Sequence, residues 1–316
     1  MKNIAETQTV AIIGNGLMGQ GIAQVFARSG KKVMLIGRST ESLNKALQVV
    51  ARNFEAFIER KLATRKEVDT AMEGISITTS FNDVAAADFV IEAVPAVREI
   101  QLDVFERLDK LCSPDVVLAS TSGQPISYMV ERMAHPERAI AAHFFYPAQL
   151  MPLVEVCGGN KTSPEVVDWT CQFLKSVGQT TALMGKEVDG FIANRLQFAV
   201  LREAWSMWAN GVASAEAIDA AMRLTIGRRY AVTGPIESAE LGGVDIMHRF
   251  SEFLFPSLDN ADKPPEAITA LVRDGHFGLK TGRGVYDWST RDGASLVAKR
   301  ADRLFEHMAE DTLPGK

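Results

Sequence analysis

The stretch Thr9-Val10-Ala11-Ile12-Ile13-Gly14-Asn15-Gly16-Leu17-Met18-Gly19 decides how the chain is read. An apolar, largely β-branched run stops at three glycines spaced GxGxxG, and helical periodicity then continues to about Ser29, with Gly30 as its stop signal. Strand, tight turn and helix in that order open a βαβ unit and give the glycine spacing its meaning. Gly14 allows the turn. Gly16 lets the backbone approach a pyrophosphate, which would rest on the amides of Leu17 and Met18 at the helix start, and Gly19 lets helix and strand pack closely. The expectation is a bound nicotinamide dinucleotide.

Working outward, Val33-Met34-Leu35-Ile36 is a second strand. An NAD-specific site usually carries Asp or Glu at its end, about 20 residues beyond the glycines, on the ribose hydroxyls. Here Gly37 stands in that place, followed by Arg38, Ser39 and Thr40. Without the carboxylate a 2′-phosphate is not repelled, and the planar fork of Arg38 can pair with it, with Ser39 as a hydroxyl donor. This favours NADP(H) over NAD(H). The other reading of Arg38 is a solvated arginine at a helix start.

Further short strands read at 75–78, 89–94, 116–120, 139–143, 153–156 and 180–183, and helical spacing runs over 41–72. Ser163-Pro164-Glu165 is a helix start. The fold class is α/β: a Rossmann-type, doubly wound, mainly parallel sheet over 1–187. Beyond Glu187 the texture becomes helical, so 188–316 reads as an all-α domain for substrate binding and dimerisation. Its first helix, from Phe191 to Asn210, is apolar on nearly every face and points to a homodimer interface. Further helices read near 214–224, 236–255, 265–273 and 294–310.

Composition excludes other classes. The 316 residues are 47% hydrophobic and 23% charged, as in ordinary globular domains. A net charge of -5 argues against nucleic acid as a partner. The 3 cysteines, Cys112, Cys157 and Cys171, form no CxxC pair and suit reduced thiols in a cytoplasmic protein. Met1 to Thr9 is polar and unlike a secretory signal, and no apolar run is long enough to span a membrane. The histidines show no metal-ligand spacing, so no metal site is expected.

Four segments look like active-site strand and helix ends: Ala119-Ser120-Thr121-Ser122-Gly123, Ala142-His143-Phe144-Phe145-Tyr146-Pro147, Pro152-Leu153-Val154-Glu155-Val156 and Gly190-Phe191-Ile192-Ala193-Asn194-Arg195. With Phe277-Gly278-Leu279-Lys280-Thr281-Gly282-Arg283-Gly284-Val285-Tyr286 they occur in an order and spacing that resembles the 3-hydroxyacyl-CoA dehydrogenase family over nearly the whole chain. The resemblance implies that His143 is the general acid/base, an imidazole with an ordinary pKa of about 6.5 being suited to proton transfer near neutrality. It implies that Glu155 orients the imidazole, that Ser122 and Asn194 hold the substrate oxygen, and that the active site lies in the cleft between the domains. Lys280 matches a cofactor lysine of the family. Each residue alone also has a plain reading: a packed strand-end histidine, an edge-strand charge, a helix cap, a helix-face amide, a surface lysine.

Departures bear on substrate and cofactor. Tyr146 replaces the asparagine usual after the catalytic histidine. Ala96 and Gln101 replace a cofactor-side Glu and Lys. The segment Ile226-Gly227-Arg228-Arg229-Tyr230 resembles the family branch that contains L-gulonate 3-dehydrogenase (lambda-crystallin), L-carnitine dehydrogenase and a pyridine-carboxylate dehydrogenase. Arg229 there can bind a free carboxylate, which a thioester does not offer. Its alternative is a surface pair or a salt bridge to Glu203, Glu237 or Glu240. The basic cluster Arg52, Arg60, Lys61, Arg65 and Lys66 could instead meet the phosphates of CoA, or be a solvated helix face. The expected activity is hydride transfer between NADP(H) and C3 of a small-molecule 3-hydroxy/3-oxo carboxylate. The alternatives are a true 3-hydroxyacyl-CoA (thioester) dehydrogenase, with acyl-CoA as partner, and a non-catalytic, crystallin-like cofactor-binding protein.

Overall fold

A computed structural model of the chain describes residues 1–311; residues 312–316, the end of the stretch assigned to the helical domain, lie outside the described residues. The chain forms two compact units, Met1–Ile192 with the described residues from Arg300 to Asp311, and Ala193–Lys299.

The first unit is built on eight strands: β1 (Thr9–Ile13), β2 (Lys32–Ile36), β3 (Ile75–Thr78), β4 (Phe89–Glu92), β5 (Val117–Ser120), β6 (Ala139–Phe144), β7 (Leu153–Gly158) and β8 (Thr180–Met184). Their order across the sheet is β3-β2-β1-β4-β5-β6-β7-β8. All neighbours are parallel except β6 and β7, which run antiparallel. The order turns outward on both sides of β1 and β4, the doubly wound arrangement that places a ligand crevice at their carboxyl ends. The helices of this unit are α1 (Leu17–Arg28), α2 (Thr40–Glu59), α3 (Arg65–Glu73), α4 (Arg98–Leu111) and α5 (Pro164–Ser176).

Successive residues of a strand face opposite sides, so β1 divides its side chains between two cores. Val10 and Ile12 join one with Phe26, Phe89 and Phe173, whereas Ala11 and Ile13 join the other with Val90, Phe105 and Leu118. With both faces covered, the central strands read as continuous apolar runs rather than alternating ones. In the first core Phe173 lies 4.9 Å from Phe89 and 5.0 Å from Trp169, ring centre to ring centre. Each fully buried ring contributes roughly 1.5–3 kcal/mol of transfer free energy.

The helical span expected over 41–72 is two helices. The break falls at Arg60–Thr64, where Lys61 takes a left-handed φ of 59° and Thr64 closes a capping box with Glu67. Thr64-Arg65-Lys66-Glu67 is a readable start signal that the overall periodicity masks.

The second unit contains α6 (Ala193–Ala209), α7 (Ala215–Ala221), a five-residue π-helical turn (Met222–Ile226), α8 (Gly227–Tyr230), α9 (Pro235–Gly242), α10 (Val244–Leu254) and α11 (Glu266–Arg273). The stretch 236–255 is interrupted at Gly243, whose φ of 91° no helix accommodates. Phe191 lies outside α6, with φ 47° and its side chain fully buried in the first unit. The last helix, α12 (Gly293–Asp311), ends in the first unit, where Phe305 meets Phe57 edge-on at 5.3 Å and Arg60 pairs with Asp302. Among the described residues no helix is long and apolar enough to cross a membrane.

Candidate active site

The reversal between β6 and β7 builds the centre of the site. Antiparallel register places His143 directly opposite Glu155, so both side chains leave the same face of the sheet. His143 Nδ1 lies 2.8 Å from Glu155 Oε2, with the carboxylate fully buried and the ring nearly so. The other carboxylate oxygen accepts the Ile192 amide at 3.0 Å. An imidazole whose Nδ1 is engaged by a carboxylate presents Nε2 as the nitrogen free to exchange a proton. Phe145 and Phe191 pack edge-on against the ring, at 4.6 and 5.7 Å. Phe191 reaches that position through its left-handed backbone, a conformation that costs a non-glycine residue about 1 kcal/mol or more.

The loop after β5 carries Ser122. Its backbone N–H donates to Ser120 Oγ at 3.1 Å, and Thr121 Oγ1 accepts the Phe144 amide at 3.2 Å, which ties the loop to β6. The Ser122 hydroxyl itself is buried and has no hydrogen-bond partner among the described residues. A buried hydroxyl left unpaired costs roughly 1–3 kcal/mol, and a ligand oxygen would relieve it.

At the crevice between β1 and β4, Gly14 has φ 114°, and a Cβ there would stand 2.6 Å from the Ala93 carbonyl oxygen. A Cβ on Gly19 would come within 1.9 Å of the Gly14 carbonyl oxygen, so the helix seats on the turn only because that position is bare. Gly16 caps α1 without a side-chain hydrogen bond and has open space around it. No acidic side chain lies in the first turn, Leu17 is exposed and Met18 half-buried. A bare helix N-terminus facing open space fits a pyrophosphate.

At the end of β2, a Cβ on Gly37 would meet the tips of Asn15 and Leu43 at 2.9 Å. Arg38 is exposed and Ser39 caps α2, its Oγ accepting the Ser42 amide. Of the basic cluster, Arg65 makes two 2.6 Å bonds to Glu55 and Arg60 pairs with Asp302, so both are already neutralised.

In the second unit Asn194 lies on the first turn of α6 and Lys280 on an exposed turn. Arg228 and Arg229 follow the π-helical turn, are exposed, and form no ion pair among the described residues. Of the carboxylates considered as partners, Glu203 accepts the Asp259 amide and Glu237 caps α9 through the Gly234 amide.

One buried group escaped the motif reading. Glu92 ends the apolar strand β4, accepting from the Val94 amide at 2.7 Å, from the Ser120 hydroxyl at 2.6 Å and from Gln101 Nε2 at 3.3 Å. Burial pushes its carboxyl up to about 7, against the pull of these three donors. The signal was present: a charged residue closing Phe89-Val90-Ile91 with no turn signal before it.

Comparisons with known proteins give the family. The family model for the 3-hydroxyacyl-CoA dehydrogenase NAD binding domain matches residues 9–188, and that for the 3-hydroxyacyl-CoA dehydrogenase C-terminal domain matches residues 190–288. The chain belongs to the 3-hydroxyacyl-CoA dehydrogenase family. It is an oxidoreductase of that family with an NAD-binding Rossmann domain. A 5-formyl-3-hydroxy-2-methylpyridine 4-carboxylate 5-dehydrogenase from Mesorhizobium japonicum is 33% identical over 94% of this chain and 96% of its own length. An L-carnitine dehydrogenase from Streptomyces griseus is 36% identical over 97% of this chain and 93% of the relative. The crystal structure of a 5-formyl-3-hydroxy-2-methylpyridine 4-carboxylic acid 5-dehydrogenase, described as an NAD+ dependent dismutase, superposes with a TM-score of 0.87 at 31% identity, covering 94% of this chain and 96% of that one.

The Gly19 position is where the glycine turn tolerates a side chain least. Gly19→Ala should weaken NADH binding at least about tenfold, because the methyl collides with backbone that shapes the turn rather than with a mobile side chain. Fluorescence titration of NADH against both proteins measures it.

Proposed function

We propose that this oxidoreductase interconverts a small 3-hydroxy carboxylate and its 3-oxo form with NADP(H), with His143 as acid/base. The observation that carries the reading is the buried His143–Glu155 pair, with the Ser122 hydroxyl left unpaired on a loop that Thr121 ties to Phe144 of β6. A bound nicotinamide would supply the acceptor, or in reverse the donor, of the hydride at C3. As the hydride departs, His143 Nε2 takes the C3 hydroxyl proton, and in the reverse direction it gives that proton back. Glu155 holds the Nδ1 proton throughout and stabilises the imidazolium that forms. Ser122 and Asn194 donate to the substrate oxygen as its charge changes. Lys280 is assigned to the cofactor.

A free carboxylate is favoured over a thioester by Arg229, a guanidinium with no internal counter-charge among the described residues. Two of the relatives agree in kind, one named for a pyridine carboxylate and the other for carnitine. The thioester reading keeps the family name on its side but loses two of its five candidate phosphate-binding cations to ion pairs. NADP(H) is favoured by Gly37 and Arg38, since no carboxylate stands at the end of β2 to repel a 2′-phosphate.

The second unit supports a homodimer. Ile268 is the one hydrophobic residue of 193–299 that the chain buries, while Phe198, Val232, Ile236, Leu241, Phe250 and Phe253 are more than half exposed. Apolar surface on that scale marks an interface.

Initial rates with acetoacetate and acetoacetyl-CoA, each with NADPH and with NADH, test the reading. Turnover of acetoacetyl-CoA alone would overturn the free-acid assignment, and tighter binding of NADH than NADPH would overturn the cofactor assignment. With a carboxylate substrate, Arg229→Ala should raise KM about tenfold or more and leave NADPH binding unchanged; an unchanged KM removes Arg229 from the substrate site. Sedimentation equilibrium at micromolar concentration should give twice the chain mass.

A further inference from the structure

Glu92 has no place in the reaction just described, yet it touches the loop that carries Ser122. The register across β4 sets Ile13 of β1 on one side of it and Ser120 of β5 on the other, and Gln101 of α4 completes its surroundings. None of these is charged, and among the described residues no lysine, arginine or histidine pairs with Glu92. On the strands beyond β5 the ionisable groups are His143 on β6 and Glu155 and the Cys157 thiol on β7, of which His143 and Glu155 bond to each other.

Ser120 Oγ is engaged twice. It donates to Glu92 Oε2 at 2.6 Å and accepts the Ser122 amide at 3.1 Å. Gln101 is also buried, with Nε2 toward Glu92 Oε2 and Oε1 left without a partner.

We propose that Glu92 is a proton-responsive positioning residue that sets the Ser122 loop through the Ser120 hydroxyl, with the Gln101 amide matching either protonation state. As a carboxylate, Glu92 accepts from Ser120 and from Gln101 Nε2, so the Ser120 proton is directed at Glu92 and its lone pair at the Ser122 N–H. Once a proton sits on Oε2, that oxygen has a donor to place. It goes to Ser120 Oγ, which then accepts from both Glu92 and the Ser122 amide and must turn its own proton elsewhere, or to Gln101 after a half-turn that presents the amide oxygen. Either way the Ser122 backbone feels the change. The pressure toward protonation is burial without a cation, which brings the carboxyl into the neutral range. The consequence for turnover rests on the proposed role of Ser122, whereas the relay itself does not.

The test is the Ser122 amide in a transverse-relaxation-optimised NMR spectrum of deuterated, serine-15N-labelled protein, assigned as the peak missing from Ser122→Ala. Between about pH 5.5 and 8.5 it should move with a midpoint within about one unit of 7. The movement should vanish in Glu92→Gln and in Ser120→Ala, and persist in His143→Gln. Gln101→Lys, which places a cation beside the carboxylate, should lower the midpoint by about one unit or more. This second route does not require the Glu92 variant to fold. A Ser122 peak that stays fixed in the wild type, or one whose movement survives Glu92→Gln and disappears in His143→Gln, would sink the relay. Turnover separates the two readings. With the Ser122 titration present and no 3-hydroxy acid or acyl-CoA oxidised, the proposed reaction fails and the relay stands. With both present, kcat should lose its dependence on pH near 7 in Glu92→Gln beyond what His143 accounts for.

Discussion

A histidine and a glutamate held 2.8 Å apart inside a protein constrain nearly everything around them. Taking a carboxylate out of water is expensive, and it is tolerated only when its lone pairs are met by donors fixed in place. Here one oxygen meets the imidazole and the other the Ile192 amide, so the segment entering α6 and two adjacent strands must all be ordered at once. The antiparallel step between β6 and β7 follows from the same demand. Direct cross-strand pairing puts residues 143 and 155 opposite each other, and the β8 strand then continues parallel to β7.

The sheet contains two buried carboxylates with opposite surroundings. Glu155 faces a partner able to carry positive charge, and Glu92 faces only neutral donors. The first arrangement fixes the orientation of the imidazole ring. The second leaves ionisation in balance with burial at a strand end shared by the glycine turn and the Ser122 loop. Gly14 lies against Ala93, the residue that follows β4, and Ser120 against Glu92, its last residue, so the glycine turn and the Ser122 loop both rest on the end of one strand.

The two units differ in what holds them. The first buries its apolar residues in two cores, one on each face of the sheet. The second leaves most of its large apolar side chains exposed within a single chain. The exposed arginines after the π-helical turn belong to this unit. Such turns arise where an extra residue is carried in a helix, and they occur often at functional positions.

Local pattern determined the eight strands to within a few residues, the glycine turn, the Ser163 cap and the family, because runs of β-branched residues, glycines and caps act over a handful of neighbours. His143, Glu155 and Ser122 became candidates through the family resemblance that the order of their segments carries, not through local pattern. Breaks at Lys61 and Gly243 were obscured because helical periodicity on either side of them is in phase with a single longer helix. Phe191 was assigned to a helix for the same reason, its apolar character being equally at home in a core. Only the tertiary structure decided that residue 143 stands in register with 155, that among the described residues the Ser122 hydroxyl is left unpaired and Glu92 meets no cation, and that the last helix returns to pack Phe305 on Phe57. Each of these depends on which distant segments meet, and on what a buried polar group finds when it arrives there.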